Sequence, residues 1–439
     1  GLLAAAVDPA AAGVPQVLRL PVAPQARARA LGRDPASTAP PPDQPDALRQ
    51  VIDTVDHAKR LRRSGDWAYA EPNYAVRLAA APVGTAPPAD RLYPNQRWHF
   101  EMVGWPAAMA TLTPLAPGLP RAPLVAIVDS GIVADHPDLA SQIESQASFT
   151  RSGAFSTSAD DPSGPGSPTA FHGTHVAGTI AAATFDTVGV AGVAPMARLL
   201  PIRVFSPDAA TSSTADVAQA ILYAAGLPNV SGTVPPRRAD VINLSLGSTR
   251  ACPAAYVDAV ARARAAGVVV VAASGNGGLT ALDAPANCPG VVSVGAVDAQ
   301  RRQASYSNSD PALGLVAPRG GSREATTGTG LPDEVYSTLG DFVGGVRTPS
   351  YGGLVGTSMA APHVSGVIAL MRYANPALTV EQVDGLLAAG RLTVDLGPAG
   401  RGAATGFGLG GAARGVSGAR GLPGGGPGQL QLCAPCLLM

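Results

Sequence analysis

Residues 124–131 read LVAIVDSG: five apolar residues, then an aspartate, a serine and a glycine. A run apolar at every position, rather than at alternate ones, belongs to a strand covered on both faces. The aspartate that ends it, Asp129, therefore stands where the chain leaves a sheet. Comparable runs recur outward from it as ARLLPIRVF (197–205), DVINLSLG (240–247), VVVVAASGN (268–276) and VVSVGAVDA (291–299). Between them lie the helical patterns HGTHVAGTIAAA (172–183), TADVAQAILYAAG (214–226) and AAYVDAVARARAAG (254–267). The alternation predicts an α/β fold, a doubly wound and mainly parallel sheet with helices on both faces. Sites in such sheets gather at the carboxyl ends of the strands.

Three polar positions fall at such ends or at the start of a helix. Asp129 closes its strand, His172 opens a helix of very small residues, and Ser358 opens a second helix in GTSMAAPHVSGVIALM (356–371). The N–H groups of a helix's first turn lack intrahelical acceptors and sit at the positive end of its dipole, a setting suited to stabilising an oxyanion. A serine nucleophile needs a base, an acid to orient that base, and donors for the developing oxyanion. Asp129, His172 and Ser358 supply the first three groups; the side-chain amide of Asn276, directly after the fourth apolar run, joins the Ser358 N–H as donor.

The motifs DSGIVADHPDL (129–139), HGTHVAGT, NLSLG, ASGN and GTSMAAPHV (356–364), in the chain order Asp, His, Ser, resemble the subtilases, the subtilisin-like serine proteases, over roughly residues 95–412. The resemblance implies that Asp129 orients His172, that His172 takes the proton of Ser358, and that Asn276 helps bind the oxyanion. It implies that Ser245, Leu246 and Gly247 pair with an extended substrate, while Ala273, Ser274 and Gly275 wall the pocket for the residue before the cleaved bond. Asp283 falls near the floor of that pocket, where a carboxylate would favour Arg or Lys; the alternative is a surface aspartate. It implies no cofactor for catalysis. A structural calcium is implied at TFDTVGVAGVAP (184–195), with side-chain oxygens from Asp138 and Asp186 and carbonyls from Thr184, Val188 and Val190. The alternative there is a plain surface loop. A second function class, a catalytically silent relative kept as a binding module, has no missing catalytic residue in its favour.

Residues 46–65, DALRQVIDTVDHAKRLRRSG, carry one helical pattern between the extended segments VPQVLRLPV (14–22) and WAYAEPNYAVRL (67–78), which predicts a small α+β module. The resemblance makes residues 1–85 a pro-domain, a folding aid and tethered intramolecular inhibitor whose last strand lies in the substrate groove. Residues 86–414 become the catalytic domain. The stretch 79–90, with prolines at 82, 87 and 88, has the composition of an exposed linker, and maturation is expected between Ala79 and Tyr93. Residues 415–439 read as a glycine-rich flexible tail, mobile at least from Val416 to Gln429.

Composition narrows the partners. Acidic and basic residues balance at 31 each and only 14% of the 439 residues are charged, so no field favours nucleic acid or an anionic membrane. No apolar run reaches the ~18 residues of a membrane span. Protein or peptide substrates and a monomer are expected. The sequence begins at Gly1, as a precursor trimmed of its signal peptide would, although an engineered start looks the same. If Cys252 and Cys288 are oxidised, closing that loop stabilises the fold by about 3–4 kcal/mol in the chain-entropy model and points to a secreted protein. The alternative is two buried thiols. The pair Cys433 and Cys436 lacks a helix that would lower a thiol pKa and reads as incidental. His172 and His175, three apart, lack the glutamate of a zincin pattern, so His175, like His363, reads as a core histidine, and His136 as a turn residue.

Overall fold

The computed structural model describes residues 3–7, 16–19, 60, 63, 69–72, 88–112, 121–150, 154–167, 169–206, 211–320, 333–397 and 400–423. Two units divide the chain, residues 1–79 and 80–439. In the first, β1 (Leu3–Val7) pairs antiparallel with β2 (Gln16–Arg19) on one side and β3 (Tyr69–Pro72) on the other. The extended segments expected at 14–22 and 67–78 contain β2 and β3. The alanine-rich β1 carries no β-propensity signal and was not anticipated. Apart from Arg60 and Arg63, which are helical, the helix expected over 46–65 lies outside the described residues.

The second unit opens with α1 (Tyr93–Met102) and α2 (Trp105–Leu112), followed by β4 (Leu124–Asp129), β5 (Ala147–Thr150), β6 (Ala154–Ser156) and α3 (His172–Ala181). Next come β7 (Arg198–Arg203), α4 (Thr214–Ala224), β8 (Val241–Leu244), α5 (Ala254–Ala265), β9 (Val269–Ala273), β10 (Val292–Val297) and β11 (Leu315–Pro318). A hairpin of β12 (Val335–Val343) and β13 (Val346–Leu354) precedes α6 (Thr357–Ala374), α7 (Val380–Ala388), β14 (Thr393–Val394), β15 (Leu409–Gly410) and α8 (Ala412–Arg420). Ten strands form one sheet in the order β14-β15-β11-β10-β9-β8-β4-β7-β5-β6, parallel from β15 through β5.

Successive side chains of the central strands enter two different cores, as a two-residue period requires. Val125, Ile127, Val241, Val269 and Val271 meet Val176 and Ile180 of α3 and Val364 and Ile368 of α6. On the opposite face Leu124, Ala126, Val128, Ile242 and Val270 meet Val217 and Ile221 of α4 and Tyr256 and Val260 of α5. The sheet is thus covered on both sides, which is why its strands read as unbroken apolar runs. A disulfide joins Cys252, just before α5, to Cys288, replacing the alternative of two thiols.

Two composition-based boundaries are corrected. Residues expected to begin a mobile tail instead form α8, with Val416 and Ala419 fully buried. Its glycines serve close packing: a Cβ on Gly415 would lie 2.8 Å from Leu392 and 2.9 Å from the Met371 sulfur. The rest of the expected tail, residues 424–439 with Cys433 and Cys436, lies outside the described residues. At the other end, the linker composition of 79–90 stops short of Asp90, which is 2% exposed and accepts a hydrogen bond from the Phe185 N–H at 2.9 Å.

Candidate active site

Asp129 ends β4 and is 2% exposed; its Oδ1 accepts the Ser130 N–H at 2.7 Å and the His172 Nδ1–H at 2.7 Å. Because the carboxylate only accepts, Nδ1 carries the proton and Nε2 is left as an acceptor. The two elements meet closely at Gly173, where a Cβ would stand 2.2 Å from the Gly131 carbonyl oxygen and 3.0 Å from the Asp129 Cβ. Phe171, before the helix, holds φ of 62° while its N–H donates to Asp161 Oδ2 at 2.8 Å. Burial lowers the His172 pKa, but the charge and hydrogen bond of Asp129 outweigh it, with Asp161 adding to them, so the ring titrates above its ordinary value. Its side chain keeps 28% of its surface open. His175 turns the other way, with Nε2 on the Val335 carbonyl at 2.9 Å, and does not pair with His172.

Ser358 occupies the first turn of α6 and is tied to the end of β8 twice. Its Oγ donates to the Ser245 carbonyl at 3.1 Å, and Ser245 Oγ donates to the Ser358 carbonyl at 2.8 Å. Behind Ser245 runs a buried polar chain, from Asn243 Nδ2 to Ser245 Oγ at 2.9 Å and from Ser365 Oγ to Asn243 Oδ1 at 2.8 Å. The Ser358 hydroxyl is turned to Ser245 and makes no hydrogen bond to His172; rotation about its Cα–Cβ bond changes its acceptor. A cavity of about 590 Å³ borders the site, lined by His172, Ser245, Leu246, Gly247, Val217 and Tyr256 among others.

Asn276 follows β9. Its Oδ1 accepts both the Thr357 N–H and the Thr357 hydroxyl at 2.9 Å, so the amide nitrogen faces the opposite way. Thr357 and Asn243 thus position the site, although only their place inside GTSMA and NLSLG signals this in the sequence. The backbone groups of Leu246 and Gly247 have no backbone partners among the described residues, leaving a free edge. Ala273 and Ser274 are buried, Ser274 Oγ bonds the Asn308 carbonyl at 3.3 Å, and neither they nor Gly275 line the cavity.

The five residues expected around calcium lie in one region. Asp138 is fully buried: Oδ2 accepts the Val190 N–H at 2.8 Å, while Oδ1 has no hydrogen-bond partner among the described residues. Asp90, absent from the sequence reading because of its Pro-rich context, has the same pattern with an unpartnered Oδ1. Burial pushes both carboxyls up to about 6, and the Asp186 charge adds to each. Positive φ at Phe185, Thr187 and Gly189 alternates with Thr184, Asp186, Val188 and Val190. Thr184 Oγ1 is engaged with the Ala182 carbonyl and the Gly192 N–H, and Asp186 Oδ1 with the Val188 N–H. Among the described residues no trio of His, Cys, Asp and Glu is arranged to hold a metal, so a cation here would have to draw on carbonyl oxygens as well.

Residues 121–408 match the family described as "Subtilase family". An extracellular protease of Xanthomonas campestris pv. campestris is 38% identical over 289 residues, 60% of this chain and 46% of that protein. A thermostable alkaline protease of Halalkalibacterium halodurans is 37% identical over 59% of each chain. Subtilisin DY of Bacillus licheniformis is 37% identical over 59% of this chain and 80% of its own. Among solved structures, a protease of Pseudoalteromonas arctica aligns with a TM-score of 0.65 and 33% identity, over 76% of this chain and all of that one. The chain thus spans only about half the length of the first two relatives.

Proposed function

Because the chain belongs to the subtilase family, we propose that it is a serine endopeptidase acting through an acyl-enzyme, with Asp129, His172 and Ser358 as its triad. The Asp129–His172 hydrogen bond of 2.7 Å carries this reading, since it fixes the tautomer that leaves Nε2 basic. On substrate binding the Ser358 hydroxyl turns from the Ser245 carbonyl to His172 Nε2, gives up its proton there, and Oγ bonds to the substrate carbonyl carbon. The oxyanion is held by the Asn276 side-chain amide, which Thr357 orients, and by the Ser358 N–H in the first turn of α6. His172 returns the proton to the departing amine, and water then releases the acyl group by the same path. The substrate pairs with the free edge of Leu246 and Gly247, which demands an extended segment.

Residues 1–79 are proposed as a pro-segment that inhibits the enzyme, and release into the medium agrees with the extracellular relative. Cleavage falls before Asp90, because that residue is bonded into the body of the second unit. Calcium is proposed on Asp138, whose unpartnered Oδ1 a cation would satisfy, with Asp186 and the carbonyls of Thr184, Val188 and Val190. It would stabilise this loop and take no part in the proton transfers.

A fluorophosphonate probe tests the central claim. It is expected to label the protein at Ser358 and to abolish casein hydrolysis, while Ser358→Ala neither labels nor cleaves. Casein hydrolysis that survives in Ser358→Ala, in a preparation free of other proteases, refutes it.

A further inference from the structure

α3, which carries His172, starts without a capping side chain of its own, because the residue before it is a phenylalanine. Phe171 nevertheless holds φ of 62°, a left-handed conformation that a bulky residue keeps only when its surroundings impose it. Its carbonyl accepts the first helical bond, from the His175 N–H at 3.0 Å, so any rotation at Phe171 shifts the turn on which His172 stands. What holds Phe171 therefore holds the base.

The hairpin of β12 and β13 supplies that hold twice. Phe171 is 5% exposed, and its ring lies against Phe342, with centroids 5.2 Å apart, and against Gly340, where a Cβ would run into it. The Phe171 N–H donates to Asp161 Oδ2 at 2.8 Å, and Arg347 secures the segment that bears this carboxylate. Its guanidinium donates to the Asp161 carbonyl at 3.0 Å and to Asp160 Oδ1 at 2.6 Å. Asp161 is 2% exposed, and its own N–H donates at 3.1 Å to the carbonyl of Ile132, on the chain that leaves Asp129. Phe342 and Arg347 stand opposite each other in the hairpin register, so one cross-strand pair grips both ends of the Phe171–Asp161 hydrogen bond.

The hairpin is anchored on α3 before it reaches that point. Ser337 Oγ donates to the His175 carbonyl at 3.0 Å and Thr338 Oγ1 to the Thr174 carbonyl at 2.7 Å, while a Cβ on Gly178 would collide with the Thr338 side chain. β12 thus runs along the helix toward its start.

We propose that Phe342 and Arg347 are positioning residues for His172, which keep the imidazole seated on Asp129 by fixing Phe171 and the Asp160–Asp161 segment. The proposal rests on the peptidase reading above and adds to it the parts that hold the base.

The test compares the full chain with Phe342→Ala and Arg347→Ala, each assayed well below its thermal midpoint so that unfolding does not enter. Phe342→Ala is expected to lower kcat roughly tenfold to a hundredfold with KM within about twofold, since a small displacement of a catalytic group acts on turnover. Arg347→Ala is expected to lose less, and Arg347→Lys, which keeps the charge beside Asp160 without the planar fork, to recover part of that loss. Val346→Ala, at the hairpin tip and 65% exposed, is expected to match the unaltered protein. Proton NMR reads the geometry without turnover. The far-downfield resonance of the His172 Nδ1–H, identified by its absence from Asp129→Asn, is expected to broaden or vanish in Phe342→Ala. A change confined to KM, an unchanged kcat, or a resonance left intact in Phe342→Ala overturns the proposal. Unaltered protein that cleaves casein while Phe342→Ala matches it defeats only the role of the hairpin, and unaltered protein that neither labels with the fluorophosphonate nor cleaves defeats the peptidase reading with it.

Discussion

Asp129 and Asp138 stand on one short stretch of chain, both buried to 2% exposure or less, and each has one oxygen without a partner. Their surroundings differ in sign. Asp129 faces an imidazole that it holds by a 2.7 Å hydrogen bond and whose pKa it raises. Asp138 faces other carboxylates, Asp186 and Asp90, and burial pushes it up to about 6. Asp129 is thus completed from within the chain, whereas burial and neighbouring carboxylates oppose the ionisation of Asp138, an opposition that the proposed calcium would offset. In the proposed reading the same side chain orients the base at one place and holds a loop together at the other.

The largest expected effect separates the two directly. Asp129→Asn removes the charge and the tautomer control and is expected to lower kcat by about 10⁴ while leaving the thermal midpoint within a few degrees. Asp138→Asn should do the reverse, lowering the midpoint with kcat at 25 °C within about twofold of the unaltered protein. Equal losses of activity from both substitutions would erase the contrast. Asn276→Ala deletes a neutral donor and is expected to cost about 10²–10³ in kcat with KM little changed, the magnitude seen when a subtilisin loses its oxyanion-hole asparagine.

Chelation comes next in size. If calcium is present at a hundred times its dissociation constant, its removal costs about 2.7 kcal/mol, a fall of roughly 3–5 °C in scanning calorimetry for a unit of this size. Asp138→Asn should be nearly insensitive to the chelator, and an unaltered protein equally insensitive would remove the cation from the account. The smallest effect is a shift in pH profile. Because the His172 pKa is raised above 6.5 and only the neutral ring accepts a proton, activity is lost as pH falls through that raised value. The acid limb of kcat/KM is expected to have its midpoint above 6.5 and to move down in Asp129→Asn, where the stabilising charge is gone. An acid limb that stays in place in the variant would mean that Asp129 does not set the ring's affinity for protons.

How much of this was legible in the sequence depended on range. The apolar runs announced the sheet because both its faces are covered, and Asp129, Ser245 and Asn276 announced themselves by ending or following those runs. Local composition misled where packing decided. Gly415 and Gly418 look like tail residues, yet they are glycine because Leu392, Met371 and Leu386 leave no room for more. Asp90 looks like linker until Phe185, 95 residues away, is seen to bond it. Thr357 gives no sign on its own that it sets the rotation of an asparagine 81 positions earlier. Such pairings are long-range, and no periodicity encodes them.

Gly173 touches neither the nucleophile nor the cavity, yet a single methyl there would collide with the Gly131 carbonyl at 2.2 Å. The spacing of Asp129 from His172 is therefore written into two main chains in contact, with no side chain between them to trim or lengthen. A saturation library selected for turnover would tolerate little variety at position 173, and enzyme engineers would find no handle there for adjusting basicity by small steps.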